Sequence, residues 1–236
     1  MTTYHEVAGA RVDRIAGLSD ALFAIALTLT VLEVRVPGHQ AIMSEGALRT
    51  AISQLGPRVL TYLLTFMTLG LFWVGQQTFL DHLDRSDRHL TWLLLAYLAT
   101  IAIMPVSTGL LADYFTYRTA VLLYWLNILV VGLLSLAAIH YAEHAGLVRG
   151  QIGLEASGAL KRRLWLGQIL YALGAALCWI NTYWSITFIV IVQTCFAFGT
   201  RWPRLGTRKG DVDAAPGPRG EERANVERPD LGGGTI

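Results

Sequence analysis

The sequence predicts an all-α integral membrane protein with six transmembrane helices per subunit. Three observations predict it. Of 236 residues, 53% are hydrophobic and 15% charged, with a mean hydropathy of +0.45, whereas soluble domains carry about a quarter charged residues. Long stretches have no charge at all: 59–80, 90–112 and 164–200. And residues 14–37 read as an apolar helix with Arg14, Ser19 and Asp20 at one end and Glu33 at the other, its middle broken only by Thr28 and Thr30. A buried soluble helix rarely needs a charged entrance and a charged exit; a membrane helix beside an ion path does.

In order, residues 1–13 form a polar leader, read as cytoplasmic, with no small-residue cleavage site ahead of the first apolar stretch. The first span covers 14–36 and closes at Pro37-Gly38. In the connection that follows, Leu48, Ile52 and Leu55 recur at helical spacing between Ser44 and Gly56-Pro57, a short amphipathic helix on the membrane surface or an ordered loop. The second span is 59–80, then a polar turn to His89, the third span 90–112 with Pro105 inside it as a kink, and a short turn. The fourth span is 119–142, followed by a polar connection from Glu143 to Arg163. The uncharged run 164–200 as one helix would be ~55 Å long, nearly twice a ~30 Å hydrocarbon core. Two spans, 164–180 and 183–200, split near Asn181-Thr182, fit better. These six spans make one channel-sized domain over 14–202, and the Gly/Pro-rich tail 203–236 reads as disordered. Cys178 and Cys195, both in apolar runs, read as small core residues and not as a disulfide framework.

Six spans put both termini on one side. That side carries Arg11, Arg14, Arg85, Arg88, Arg149, Lys161, Arg162, Arg163, Arg201, Arg204, Arg208 and Lys209, against Arg35, Arg49, Arg58 and Arg118 on the other. The bias of basic residues places the termini in the cytoplasm, Asp20 near the inner end of the first span and Glu33 near its outer end.

Several residues are candidates for chemistry. Asp20 at membrane depth needs partners; Arg14 and Ser19 are at hand, and an interfacial, solvated carboxylate is the alternative. Ile25, Thr28, Leu29 and Leu32 share a helix face, for packing or for a pore in which Thr28 offers a hydroxyl and Glu33 gathers cations. Trp73, Gln76 and Gln77 cluster late in the second span, where amides commonly bond between helices. Asp81, His82, Asp84, Asp87 and His89 match no ligand spacing, and His140 with His144 lacks a third ligand, so no metal site is expected. Phosphate loops, hydrolase motifs and a carbonyl filter are absent from the sequence, and the basic residues sit at span ends, which leaves nucleic-acid binding and enzyme activity without support.

Arg14-x-x-x-Leu18-Ser19-Asp20 resembles the R-x-x-x-F-S-D motif that opens the first span of the transmembrane protein 175 family of potassium channels. The resemblance continues at Ala24-Ile25-Ala26, at Val31-Leu32-Glu33-Val34-Arg35-Val36-Pro37, at Phe72-Trp73-x-x-Gln76-Gln77 and at Met104-Pro105-Val106-Ser107-Thr108. It implies a prokaryotic homotetramer in the cell membrane, with four copies of the first span around a central pore. By resemblance, Ile25 and Leu32 form apolar constrictions and Thr28 a hydroxyl layer. Arg14, Ser19, Asp20 and Trp73, with Gln76 and Gln77 at the family's two histidine positions, would hold the pore helix. Leu18 stands for the motif phenylalanine, and amides in place of histidines do not titrate near neutral pH. The function expected is a passive, potassium-selective cation channel without a cofactor, its partners being the bilayer, its own copies and the permeant ion. The rivals are a proton- or cation-coupled secondary transporter using Asp20 and Glu33, a membrane-embedded enzyme, and a non-transporting scaffold.

Overall fold

The computed structural model describes residues 12–35 and 44–198. Seven helices run through them: α1 Val12–Val31, α2 Glu45–Gln54, α3 Gly56–Asp81, α4 Arg88–Asp113, α5 Arg118–His144, α6 Gly150–Leu177 and α7 Thr182–Phe198. The first eleven residues of the leader, Pro37-Gly38 and the tail 203–236 lie outside the described residues. By length and composition, α1, the α2–α3 run, α4 and α5 can each cross a membrane, and α7 is a shorter apolar helix. The uncharged second half of α6 supplies the sixth apolar helix of the bundle.

Two differences from the sequence reading concern helix ends. The first span stops at Val31, not at residue 36. Leu32, Glu33 and Val34 donate to Leu29, Thr30 and Val31, three residues back, in a tightened turn. The β-branched residues Thr28, Thr30, Val31 and Val34 weaken the helix there. The connection expected from Glu143 to Arg163 is instead mostly helix, because α6 begins at Gly150. Glu155, Ala156, Leu160, Lys161 and Arg162 are good helix formers, and their polarity says where the segment sits, not whether it coils. At 28 residues, α6 is ~42 Å long and outruns a ~30 Å hydrocarbon core.

Caps and a small clasp order the turns. Ser44 caps α2 by accepting from Ala47 N at 3.2 Å. Asp87 caps α4 by accepting from Leu90 N at 2.7 Å, and its other oxygen accepts from the Tyr141 hydroxyl. Residues 82–84 pair with 147–149: Asp84 N donates to Leu147 O at 2.9 Å and Arg149 N to His82 O at 2.8 Å. The α5–α6 turn takes positive φ at Gly146 (64°) and Gly150 (53°), conformations that glycine adopts without strain.

The centre of the bundle is α4, packed on α1, α3 and α5; α6 lies on α5 and α7, and α7 returns to α3. Phe23, Leu69, Tyr97, Ile101, Met104, Tyr124 and Ile128 form the main apolar core. Pro105 leaves α4 a single helix, and the Ser107 and Thr108 hydroxyls both bond back to Met104 O. A buried polar chain crosses this core. Thr65 Oγ1 meets Thr108 Oγ1 at 2.8 Å and donates to the Tyr124 hydroxyl at 3.2 Å; Thr68 meets the same hydroxyl, and Gln193 Nε2 donates to Thr68. Four helices are thereby tied by side-chain hydrogen bonds, the glue available where apolar contact with lipid competes with apolar contact between helices. Of the cysteines, Cys178 is buried but Cys195 is exposed on α7, so only the first is a core residue.

At Gly174, α6 and α7 come close enough for a Cβ to lie 2.7 Å from Ile189 Cγ1, while Ser185 Oγ donates to Gly174 O at 2.6 Å. Gly174→Val is therefore expected to cost about 1–3 kcal/mol by overpacking, read as a lower midpoint of thermal unfolding in detergent. An unchanged midpoint would show that the two helices separate without penalty.

Candidate functional site on α1

Two faces divide α1. Ile15, Ser19, Phe23, Ala26 and Thr30 are buried against α3 and α4. Arg14, Leu18, Ala21, Ile25, Thr28 and Leu32 are exposed, with Ile25 at 53% and Leu32 at 66%. The exposed set steps by four and three in alternation and averages 3.6 residues, the period of the α-helix itself, so it forms one seam that runs straight along the helix. Leu29 is exposed beside this seam. The Thr28 hydroxyl donates back to Ala24 O at 2.9 Å and Ile25 O at 2.8 Å. Its proton is thus engaged within the helix, and its oxygen lone pairs remain to face whatever lies along the seam.

At the first end of α1 the structure brings together Asp20, Trp73 and Gln77. Asp20 Oδ1 accepts from Trp73 Nε1 at 2.9 Å and from Gln77 Nε2. Trp73 and Gln77 are i and i+4 on α3, so both reach one carboxylate. Arg14 is not part of this contact. Six residues before Asp20, it lies ~9 Å along the axis and roughly 120° around it, and it makes no ion pair among the described residues. Ser19 and Gln76 are buried, and neither Ser19 Oγ nor Gln76 Nε2 has a hydrogen-bond partner.

At the other end, sequence reasoning found Glu33 but missed its setting. Arg58 of α3 grips Asp113 at the end of α4 at 2.8 Å and donates to the Glu33 backbone carbonyl at 3.5 Å. The Glu33 carboxylate rests over Gly109 of α4, in space that a Cβ would fill, with Arg35 at 3.7 Å. The signal was an arginine just inside the second span and a glycine in the third, neither informative without knowing which ends adjoin. His140 and His144 stack at 4.4 Å with their ring nitrogens unassembled with other ligands, and no group of three or more metal-binding side chains forms among the described residues.

These features define a class: a multi-span α-helical membrane protein whose first helix is anchored at both ends and uncovered along one apolar, hydroxyl-bearing seam. Residues 14–105, from α1 into α4, match the family model described as endosomal/lysosomal potassium channel TMEM175. A potassium channel of Streptomyces collinus is 29% identical over 174 residues, 71% of this chain and 82% of that protein. A potassium channel of Chamaesiphon minutus is 27% identical over 188 residues, 78% of this chain and 92% of that protein. The human endosomal/lysosomal proton channel TMEM175 is 28% identical over 178 residues, 75% of this chain but only 34% of the human protein. The crystal structure of a lysosomal potassium-selective channel TMEM175 homolog from Chamaesiphon minutus superposes with a TM-score of 0.70 at 26% identity, covering 79% of this chain and 96% of that one. The chain is thus similar to the TMEM175 family from α1 into α4, and along most of its length to bacterial proteins named as potassium channels.

The Asp20 contact has a measurable strength. In a double-mutant cycle with Asp20→Asn and Trp73→Phe, the coupling is expected near 0.6 kcal/mol, the usual size for a hydrogen bond between membrane helices, read from unfolding midpoints. Additive effects would mean that the indole and carboxylate do not hold α1 to α3.

Proposed function

We propose that this protein is a passive, potassium-selective cation channel, assembled as a homotetramer with α1 of each copy lining a central pore. The observation that carries the reading is the uncovered α1 seam of Ile25, Thr28 and Leu32 between polar ends. The names of the bacterial relatives, potassium channels, support the ion. Four isoleucines facing one axis make a dry constriction, and an ion passes it only by shedding water. Potassium holds its water less tightly than sodium, so such a ring penalises sodium more. Thr28 oxygens return part of the lost hydration, Leu32 forms a second apolar ring, and Glu33 concentrates cations at the outer mouth. The Asp20, Trp73 and Gln77 contact is structural: it fixes the rotation of α1 so that the seam points to the axis. Ser19 and Gln76 adjoin that contact in sequence, and Arg14 lies apart from it. No cofactor is needed.

The protein is placed in the cell membrane of a prokaryote with both termini in the cytoplasm. The distribution of basic residues supports this orientation. In a background with Cys178 and Cys195 replaced by serine, Glu45→Cys is expected to react with an impermeant maleimide added outside intact cells, and Asp84→Cys, on the exposed turn before α4, only after permeabilisation. The reverse pattern would invert the topology.

The channel reading is tested by reversal potential in planar bilayers, with potassium on one side and sodium on the other. Reversal is expected to shift toward the potassium equilibrium potential. Ile25→Asn should raise conductance on the order of tenfold, equivalent to about 1.4 kcal/mol removed from the barrier, and pull the reversal toward zero. Unchanged conductance and selectivity in a variant that is still tetrameric would remove Ile25 from the pore. Absence of current from well-incorporated wild-type protein would instead favour a coupled transporter or a scaffold.

A further inference from the structure

On the far side of α3 from α1, a half-open groove encloses about 50 Å³ between α3, α5, α6 and α7. Its walls are apolar: Phe72, Gly75, Leu160, Leu164, Gly167 and Phe196. It follows α6 from Leu160 to Tyr171, a length of about 16 Å, roughly the depth of one leaflet of a ~30 Å core. One end is basic. Arg163 lines the groove there, and its guanidinium lies 5.9 Å over the Phe196 ring and donates to Phe196 O at 3.2 Å. Lys161 is taken by Glu143. Neither Arg162 nor Arg163 has an acidic partner among the described residues, and no Asp or Glu lines the groove. One guanidinium group without an acidic partner among the described residues, that of Arg163, therefore sits in the groove, with the exposed Arg162 next to it in sequence.

We propose that this groove holds an anionic phospholipid, its acyl chain along α6 and α3 and its phosphate on Arg163 with Arg162 beside it. The chemistry fits at each level. The Arg163 guanidinium rests over the Phe196 ring with one N–H on the Phe196 carbonyl, which leaves its other N–H donors for a phosphate. Basic pockets between membrane helices favour anionic headgroups over zwitterionic ones. Gly75 leaves the slot open: a Cβ there would meet Leu160 Cδ1 at 3.6 Å, so a long side chain would occupy the slot rather than clash with the helix. No residue of α1 lines the groove, so the inference does not rest on the channel reading.

The test is native mass spectrometry of the purified protein with dioleoyl phosphatidylglycerol and dioleoyl phosphatidylcholine, which share their chains and differ in charge. Retention of the anionic lipid is expected to be about fivefold the stronger, the equivalent of ~1 kcal/mol for one basic contact. Arg163→Gln should bring the ratio close to one, and Arg163→Lys should keep most of it. Gly75→Met should weaken both lipids alike by filling the slot, at unchanged charge, which separates chain from headgroup should the arginine variant fold poorly. Equal retention of the two lipids by wild-type protein, or a preference that survives Arg163→Gln, would overturn the proposal.

Discussion

Every hydrogen-bonding group inside a bilayer must find its partner within the protein, and the rest of this structure depends on that constraint. The threonines show how it is met. Thr28, Thr30, Thr61, Thr78, Thr100 and Thr194 each return their hydroxyl to a carbonyl three or four residues back. Such bonds satisfy the hydroxyl but join nothing. Thr65 is different, since its bonds run to side chains of α4 and α5, and through Tyr124 and Thr68 the chain reaches Gln193 of α7. A handful of polar side chains thus decides which helices are locked together, while the far larger apolar contact area fills space between them.

Because that chain bypasses α1, this helix is fastened separately. Its polar ties are at its ends: Asp20 on Trp73 and Gln77, and the Glu33 carbonyl and carboxylate at Arg58 and Gly109. Between them α1 contributes Phe23 and Ala26 to the core and leaves its other face bare. A helix clamped at both ends and smooth in the middle keeps its rotation without placing any ionised group along the exposed seam between Leu18 and Leu32. That leaves Leu18, Ala21, Ile25, Thr28 and Leu32 as an uncharged strip between polar ends.

The bundle was legible in the sequence because charge-free runs of helix length have few other uses. Asp20 and the Trp73-Gln77 pair were legible as polar residues in apolar surroundings, though only the fold shows that Arg14 points elsewhere. Hydropathy failed where it was asked about helicity. The first half of α6 is polar and still coils, and α1 ends at Val31 although Leu32 and Val34 carry apolar residues on beyond it. What stayed hidden were relations between distant segments: the Arg58 grip on Asp113, Gly109 beneath Glu33, and Gly132 making room for the Gln168 amide. Each depends on which helices adjoin, and a single sequence carries no record of that.

The α1–α3 seam combines a strong contact with a weak one. Asp20 is held by an indole and an amide, and neither donor titrates near neutral pH, so protonation of a partner cannot release the contact there. Immediately beside Asp20 and Gln77 in sequence, Ser19 Oγ and Gln76 Nε2 are buried with no hydrogen-bond partner among the described residues, and each such group costs about 1–3 kcal/mol. The hydrogen bonds that orient α1 and the unmet groups that loosen it therefore lie on the same pair of helices. Any movement that let Ser19 and Gln76 find partners would recover energy that the present packing forgoes. A shift of α1 against α3 would turn the exposed seam while leaving the Thr65 chain through α4, α5 and α7 intact.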